Sequence, residues 1–228
     1  MFILFKRILA LIFSFKNDAK YLLLPAIMWL SFYSNVLIFV VGAAVYFIHK
    51  PKLAHDFAWF LTTTAVSALI GAFGHLEILP LQTQAILLFC SRVINLISFY
   101  YFGRGTLHQF GWLDSGQIKH GHNAILVLAS VWLVYLNVLY PGTKLGFRPV
   151  MTYGVIEMLL ISGFLFVKHV KQNTAAHKTI LIGIGIILVS AVIFKAMPQG
   201  LGLKPSDISH VLVALSLIVL SKGFVKLK

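Results

Sequence analysis

Seven long apolar segments alternate with short polar breaks along this chain. At about 1.5 Å per helical residue, the longer segments cross about 30 Å of hydrocarbon and the shortest covers about three quarters of it, so we take all seven as spans. Lipid allows only helices and closed barrels to span it, and runs this continuous favour helices. The predicted spans are Leu22–Phe47, Phe57–Ile78, Gln84–Phe102, Asn123–Tyr140, Met151–Val167, Thr179–Ala196 and Ser206–Leu220.

The start of the chain has a different character. Residues 1–15 are apolar except for one Lys-Arg pair, and no small-residue cleavage site of the kind found in signal peptides follows them. About 15 residues is short for a span, so we predict an amphipathic helix on the membrane surface over residues 1–20. An eighth span is the alternative. A seven-helix transmembrane domain follows over residues 21–228.

Composition supports a membrane protein. The 228 residues are 59% hydrophobic and 11% charged, whereas soluble domains are about half apolar and about a quarter charged. We therefore expect an all-α, multi-pass protein of a bacterial inner membrane. The net charge of +13 comes from Lys and Arg that flank apolar runs, so we expect contacts with anionic lipid head groups and not with nucleic acid. The single cysteine excludes a disulfide framework and a cysteine zinc cluster. The oligomeric state is left open.

Ionisable side chains within or at the ends of the predicted spans are few. Each costs at least about 2.5 kcal/mol at the bilayer centre, which makes such residues functional candidates. The candidates among them are His75, Glu77, Arg92, Glu157, Asp207 and His210. Successive spans alternate in direction, so the end of span two and the starts of spans three, five and seven share one membrane face. The sequence therefore predicts that all six side chains lie in the same half of the bilayer.

Span seven opens with the most informative of these residues. Asp207 and His210 are three residues apart and share one helical face. Capping by Ser206, with Asp207 at the positive end of the helix dipole, accounts for the carboxylate equally well. It does not account for His210. A metal site accounts for both residues, because both side chains can ligate an ion or the carboxylate can orient the imidazole.

The other candidates have structural interpretations beside functional ones. Glu157 and Arg92 are first interpreted as an ion pair that joins spans three and five, with Glu157 as a general base or metal ligand in the alternative. His75 is either an interfacial histidine bonded to a loop carbonyl or a ligand. The doublet His120-Gly-His122 is interpreted as part of a solvated loop.

A histidine closing span two in a Gly-rich context, and an acidic residue plus histidine opening span seven, resemble the CREST superfamily of seven-helix membrane proteins. This group includes alkaline ceramidases, progestin and adipoQ receptors and hemolysin-III-like proteins. Its members hold zinc through one histidine near the end of span two and two histidines four residues apart in span seven, with a serine and an aspartate nearby. His75 and His210 match by position. Ser206 stands in place of the earlier span-seven histidine, and Gly71 in place of the serine.

The resemblance implies a zinc-dependent hydrolase acting on a lipid amide or ester. Zinc would be held by His75 and His210, with Asp207 or Glu157 replacing the missing histidine. A zinc-bound water would attack the carbonyl, and the Glu157 or Asp207 carboxylate would take the proton. Arg92 would stabilise the developing oxyanion.

Two non-hydrolytic functions are the alternatives. A small transporter would use Glu157, Arg92 and Asp207 to line a pathway, but it needs polar residues in the opposite half of the bundle, where the sequence offers little beyond Thr62–Thr64. A lipid-binding or scaffold protein would use the same residues to fix the packing of the helices.

Overall fold

The part of the chain that the structure describes forms seven helices, each long and apolar enough to span a membrane. The computed structural model describes residues 19–196 and 204–227, without the side chains of residues 19–28, Thr174 and Ala196. The helices are α1 (Ala19–His49), α2 (His55–Gly74), α3 (Leu81–Gln109), α4 (Gly116–Leu139), α5 (148–168), α6 (Thr174–Ala196) and α7 (Pro205–Phe224). No strand occurs in these residues, and the predicted all-helical fold with seven helices long and apolar enough to span a membrane is confirmed for them.

The boundaries differ from the predicted ones in two ways. The segment 103–122, predicted as a loop, is mostly helical, because α3 continues to Gln109 and α4 already begins at Gly116. Its polar residues ended the apolar pattern, but they did not end the helices. Most of the predicted surface helix over residues 1–20 lies outside the described residues, which begin at residue 19.

Helix α5 contains a stretch of π-helix. Its segments are Arg148–Val155 (α), Ile156–Gly163 (π) and Phe164–Lys168 (α). π-helical turns are rare in proteins as a whole, but those that occur are often found at functional sites. Glu157, a candidate of the sequence analysis, lies in the first turn of the π segment and is fully buried.

Within the described residues, six of the helices form a ring and α4 packs outside it. The ring runs α1, α2, α3, α5, α6 and α7, and α7 returns to α1; α4 packs against α3 and α5. We call the membrane face at which α2 ends and α3, α5 and α7 begin the proximal face, and the opposite one the distal face. The main apolar core joins the ring helices and includes the parallel rings of Phe57 and Phe224, with centroids 4.0 Å apart.

Small hydroxyl side chains join neighbouring helices of the ring. Ser67 of α2 and Ser91 of α3 each donate to the other's backbone carbonyl, both at 2.9 Å. Ser190 of α6 and Ser209 of α7 lie 2.7 Å apart through their hydroxyl oxygens. Lipid chains are as apolar as the helix surfaces, so close packing and hydrogen bonds of this kind drive helix association in a bilayer.

Candidate functional site

The ring encloses a central cavity of about 180 Å³, to which every helix of the ring contributes. Most of its wall is apolar. The polar side chains that line it include Asn35, Ser91, Asn95, Ser190, Ser209 and His210. The cavity is therefore an apolar chamber with a limited set of hydrogen-bonding groups, as is usual for small-molecule sites.

Asp207 is buried in the first turn of α7 and faces helix α1. Its Oδ1 accepts a hydrogen bond from the Ser31 hydroxyl at 2.9 Å and a longer one from Ser34 at 3.4 Å. Its Oδ2 is buried and has no hydrogen-bond partner in the described part of the chain. Ser206 does not cap α7, because the helix begins after Lys204 without a side-chain capping bond and Ser206 instead contacts the Asp207 carboxylate. Asp207 does lie in the first turn, as predicted.

His210 lies one turn deeper, at the cavity wall. Its Nδ1 is 2.8 Å from the Ser34 hydroxyl and 3.3 Å from Nδ2 of Asn35. Ser34 thus stands between the carboxylate of Asp207 and the imidazole of His210. Because Nδ1 is occupied by α1, Nε2 is the ring nitrogen left for a molecule in the cavity.

His75 follows the last residue of α2 and is half-buried. Burial lowers the pKa of His75, Lys204 and Arg92 act in the same direction, and the Asp207 carboxylate opposes them. His75 is also within electrostatic reach of His210. The structure therefore brings the three predicted ligands into one region at the proximal end of the cavity.

These residues do not, as they stand, form a zinc site. A structural or catalytic zinc ion takes at least three protein ligands, and the described residues contain no group of three or more His, Cys, Asp or Glu placed to hold a metal ion. Asp207 Oδ1 and His210 Nδ1 are already engaged with α1. Oδ2 of Asp207 is a buried carboxylate oxygen without a hydrogen-bond partner among the described residues. Zinc binding stays a prediction from the sequence.

Arg92 does not pair with Glu157. Its guanidinium donates to Oδ1 of Asn137 on α4 at 2.5 Å and to the Thr143 carbonyl at 2.9 Å. Gly146 packs closely against this hydrogen bond. A Cβ atom built at position 146 would lie 2.6 Å from both the Arg92 guanidinium and the Asn137 side chain. Buried cations in membrane proteins commonly bind such neutral oxygens. The ion-pair interpretation is wrong, and Arg92 connects α3 to α4 near the proximal face.

Glu157 pairs instead with His122, in the other half of the bundle. Its Oε2 lies 3.0 Å from Nε2 of His122, and the exposed fractions of the two side chains are 0% and 2%. Gly103 of α3 leaves the space that the Glu157 carboxylate fills. Gly103 lies near the distal end of α3, and His122 in the second turn of α4 from that end. The prediction that all the candidates share one half is wrong for Glu157.

Several buried polar atoms of α5 have no hydrogen-bond partner. Among the described residues these are Oε1 of Glu157 and the hydroxyls of Tyr153 and Ser162, all on α5. The remaining candidate, Glu77, is exposed in the turn between α2 and α3. It takes no part in either buried cluster.

The comparison with protein families covers most of the chain. Residues 30–228 match the family described as a family of unknown function, DUF6962. The chain belongs to this family. Comparisons with curated proteins and with solved structures found no match. For this DUF6962 chain the resemblance to the CREST superfamily stays a prediction.

The DUF6962 chain has site residues that sequence reasoning missed. Ser31 and Ser34 supply partners of Asp207 and His210. With Asn35, they follow a spacing of three and four that places them on one face of an otherwise apolar helix. This stripe of polar residues on an apolar helix can be recognised in the sequence. His122 carried no such signal, since its neighbours in sequence are polar and its burial depends on packing against α5.

Proposed function

We propose that the protein is a membrane-embedded hydrolase that cleaves an amide or ester bond of a lipid, with the apolar part of the lipid in the central cavity. The observation that supports it is the chain of contacts from Asp207 through Ser34 to His210 at the cavity wall. A base oriented by a second group, which is in turn bound to a carboxylate, is a recurring arrangement in hydrolases.

The arrangement allows His210 to act as a general base. With the proton on Nδ1, the imidazole donates to the Ser34 hydroxyl, whose own hydrogen goes to Asp207 Oδ1 or to the Ser31 carbonyl. In this state the Asn35 amide donates to the Ser31 carbonyl and not to Nδ1. Nε2 can then take a proton from a water molecule while the oxygen of that water attacks the carbonyl carbon of the lipid. When the tetrahedral intermediate collapses, the C–N or C–O bond breaks and the leaving group takes that proton from Nε2.

The cavity supports a lipid as the substrate. Its walls are largely apolar, and aromatic and aliphatic side chains such as Phe60, Phe99 and Met158 line it. It lies within a bundle of helices that are long and apolar enough to span a membrane. Its volume of about 180 Å³ is below the roughly 300 to 1,000 Å³ of pockets that enclose drug-sized ligands. It suits a segment of one acyl chain next to a carbonyl better than a bulky ring system.

The experiment measures hydrolysis of a fluorogenic fatty amide and a fatty ester by purified protein in lipid nanodiscs. We expect kcat to fall at least about 100-fold in His210→Ala, as for loss of a general base, and to fall in Ser34→Ala. Ser221→Ala is the matched control, because Ser221 is a buried serine of α7 whose hydroxyl donates to its own helix at Ile218. Full activity of His210→Ala would overturn the proposal.

Zinc is tested separately, by elemental analysis of the purified protein. Stoichiometric zinc that is lost in both His75→Ala and His210→Ala would support the metal-dependent form predicted from the sequence. Protein that hydrolyses the substrates without bound metal, and that keeps its activity in a chelator, would support the His210 base acting alone.

A proton-coupled carrier is the second candidate. The buried His122–Glu157 pair favours it, because this pair supplies the ionisable groups in the distal half that the sequence did not offer. Proteoliposomes that move a labelled fatty acid in response to a pH gradient, and hydrolyse neither substrate, would favour the carrier. Loss of this fatty-acid transport in Glu157→Gln would assign the His122–Glu157 pair to the carrier function.

A further inference from the structure

A second pocket, of about 290 Å³, lies at the distal face between the end of α3 and the start of α4. It is lined by Tyr100, Arg104, Leu113, Lys119 and Asn123. None of these residues lines the central cavity. The pocket is therefore a separate site, and it is independent of the proposed hydrolysis.

The charged groups of this pocket are cations. Lys119 is exposed and makes no ion pair within the described residues. Arg104 directs Nε toward Oδ2 of Asp56, at 3.7 Å, which leaves its two terminal nitrogens for another partner. No carboxylate is among the described residues that line the pocket. Its walls thus offer several N–H donors and an excess of positive charge.

The neutral side chains complete the set of donors and hold it in place. The Tyr100 hydroxyl donates to Oδ1 of Asn123 at 2.9 Å, so the Asn123 amide nitrogen is left as a donor. The Tyr100 ring also stacks on His122, with centroids 4.8 Å apart, and His122 is fixed by Glu157. This wall of the pocket is therefore anchored to a fully buried pair, and its geometry is formed before a ligand binds.

We propose that this pocket binds a phosphate group, such as that of an anionic phospholipid of the distal leaflet. Arg, Lys and an amide N–H are the donors that phosphate oxygens accept from most strongly. Basic pockets between transmembrane helices at a membrane face bind anionic head groups. A free phosphate offers the same chemistry as the head group, so the test has to separate the two sources.

The test measures lipid binding to the purified full chain in neutral detergent by native mass spectrometry. We expect phosphatidylglycerol to bind more tightly than phosphatidylcholine. Lys119→Gln should weaken phosphatidylglycerol binding about fivefold, the effect of one lysine at a membrane surface. Lys178→Gln is the matched control, because Lys178 is also exposed near the distal face and loses the same charge without touching the pocket. We expect it to bind as the wild type does.

Inorganic phosphate separates the two sources of the ligand. Displacement of the lipid by millimolar phosphate in the wild type, and not in Lys119→Gln, would show that the pocket also takes the free ion. Lipid binding that phosphate does not displace would assign the pocket to a head group. Equal losses in Lys119→Gln and Lys178→Gln, or no preference for phosphatidylglycerol, would overturn the proposal. Arg104→Gln is a second variant that tests the same pocket. Its melting temperature is measured as well, because the substitution also removes the ion pair with Asp56.

Discussion

Nε2 of His122 and Oε2 of Glu157 lie 3.0 Å apart between helices α4 and α5, and both side chains are almost completely enclosed. No solvent is available there to replace either partner. The pair joins the peripheral helix α4 to α5, while hydrogen bonds of Asn123 with Tyr100 in the same half and of Asn137 with Arg92 near the opposite end join it to α3.

Glu157→Ala should destabilise the protein strongly. Removing one member of a buried pair leaves its partner unpaired, which costs about 3 to 5 kcal/mol. Denaturant unfolding in detergent micelles measures the loss. Glu77→Ala is the control, because Glu77 is exposed and should be nearly neutral. Equal stability of the two variants would contradict the buried pair.

Gly103→Ala should destabilise the same site by a different route. A methyl group there would overlap the Glu157 carboxylate, and overpacking of this kind costs about 1 to 3 kcal/mol. Gly185→Ala is the matched control in another helix, because nothing lies within 4 Å of a Cβ atom at that position. Gly185→Ala should be neutral or slightly stabilising, since alanine is the better helix former. A melting temperature that falls equally in both variants would refute the close approach at Gly103.

Arg92 and Asn137 should be coupled energetically. Their side chains share a hydrogen bond, so the losses caused by Arg92→Leu and Asn137→Leu should not add in the double variant. An interaction energy of about 0.5 to 3 kcal/mol is expected for groups in contact. A double-mutant cycle of unfolding free energies measures it, and strict additivity would show that the contact contributes nothing.

Ala191→Phe should block the central cavity. Ala191 lines the cavity from α6, and a phenyl ring there would take up much of the roughly 180 Å³ available. We expect binding and hydrolysis of the fatty amide to fall at least tenfold while the melting temperature is kept. Val189→Phe is the control, since Val189 is exposed on the same helix and does not line the cavity. Unchanged binding by Ala191→Phe would place the substrate elsewhere.

Hydropathy predicted the fold well because membrane spans depend on composition more than on partners. All seven spans appear as helices in the described residues. The error at residues 103–122 arose because polar residues were taken as the end of a span. In the structure some of these residues, such as His122, are buried against other helices. A helix can therefore continue beyond the point at which polar residues interrupt its apolar pattern.

The site was predictable only where its signal lies within one helix. Asp207 and His210 could be linked because they share a face of α7, and alternating helix direction placed His75 near them. Their partners on α1 depend on which helices are neighbours, and hydropathy contains no such information. The same limit explains Glu157, which was assigned to the wrong partner and the wrong half because the π segment and the order of the helices decide what it faces.

The contacts of α4 with its two neighbouring helices also imply an order of assembly. Arg92 precedes α4 in the chain, so the contact at Asn137 can form as soon as α4 has inserted. Glu157 follows α4, and His122 has no acidic partner until α5 enters the bilayer. Arg92 and Tyr100 of α3 can therefore hold both ends of α4 before α5 is present, whereas the buried His122 imidazole gains its carboxylate partner only after the next helix has been synthesised and inserted.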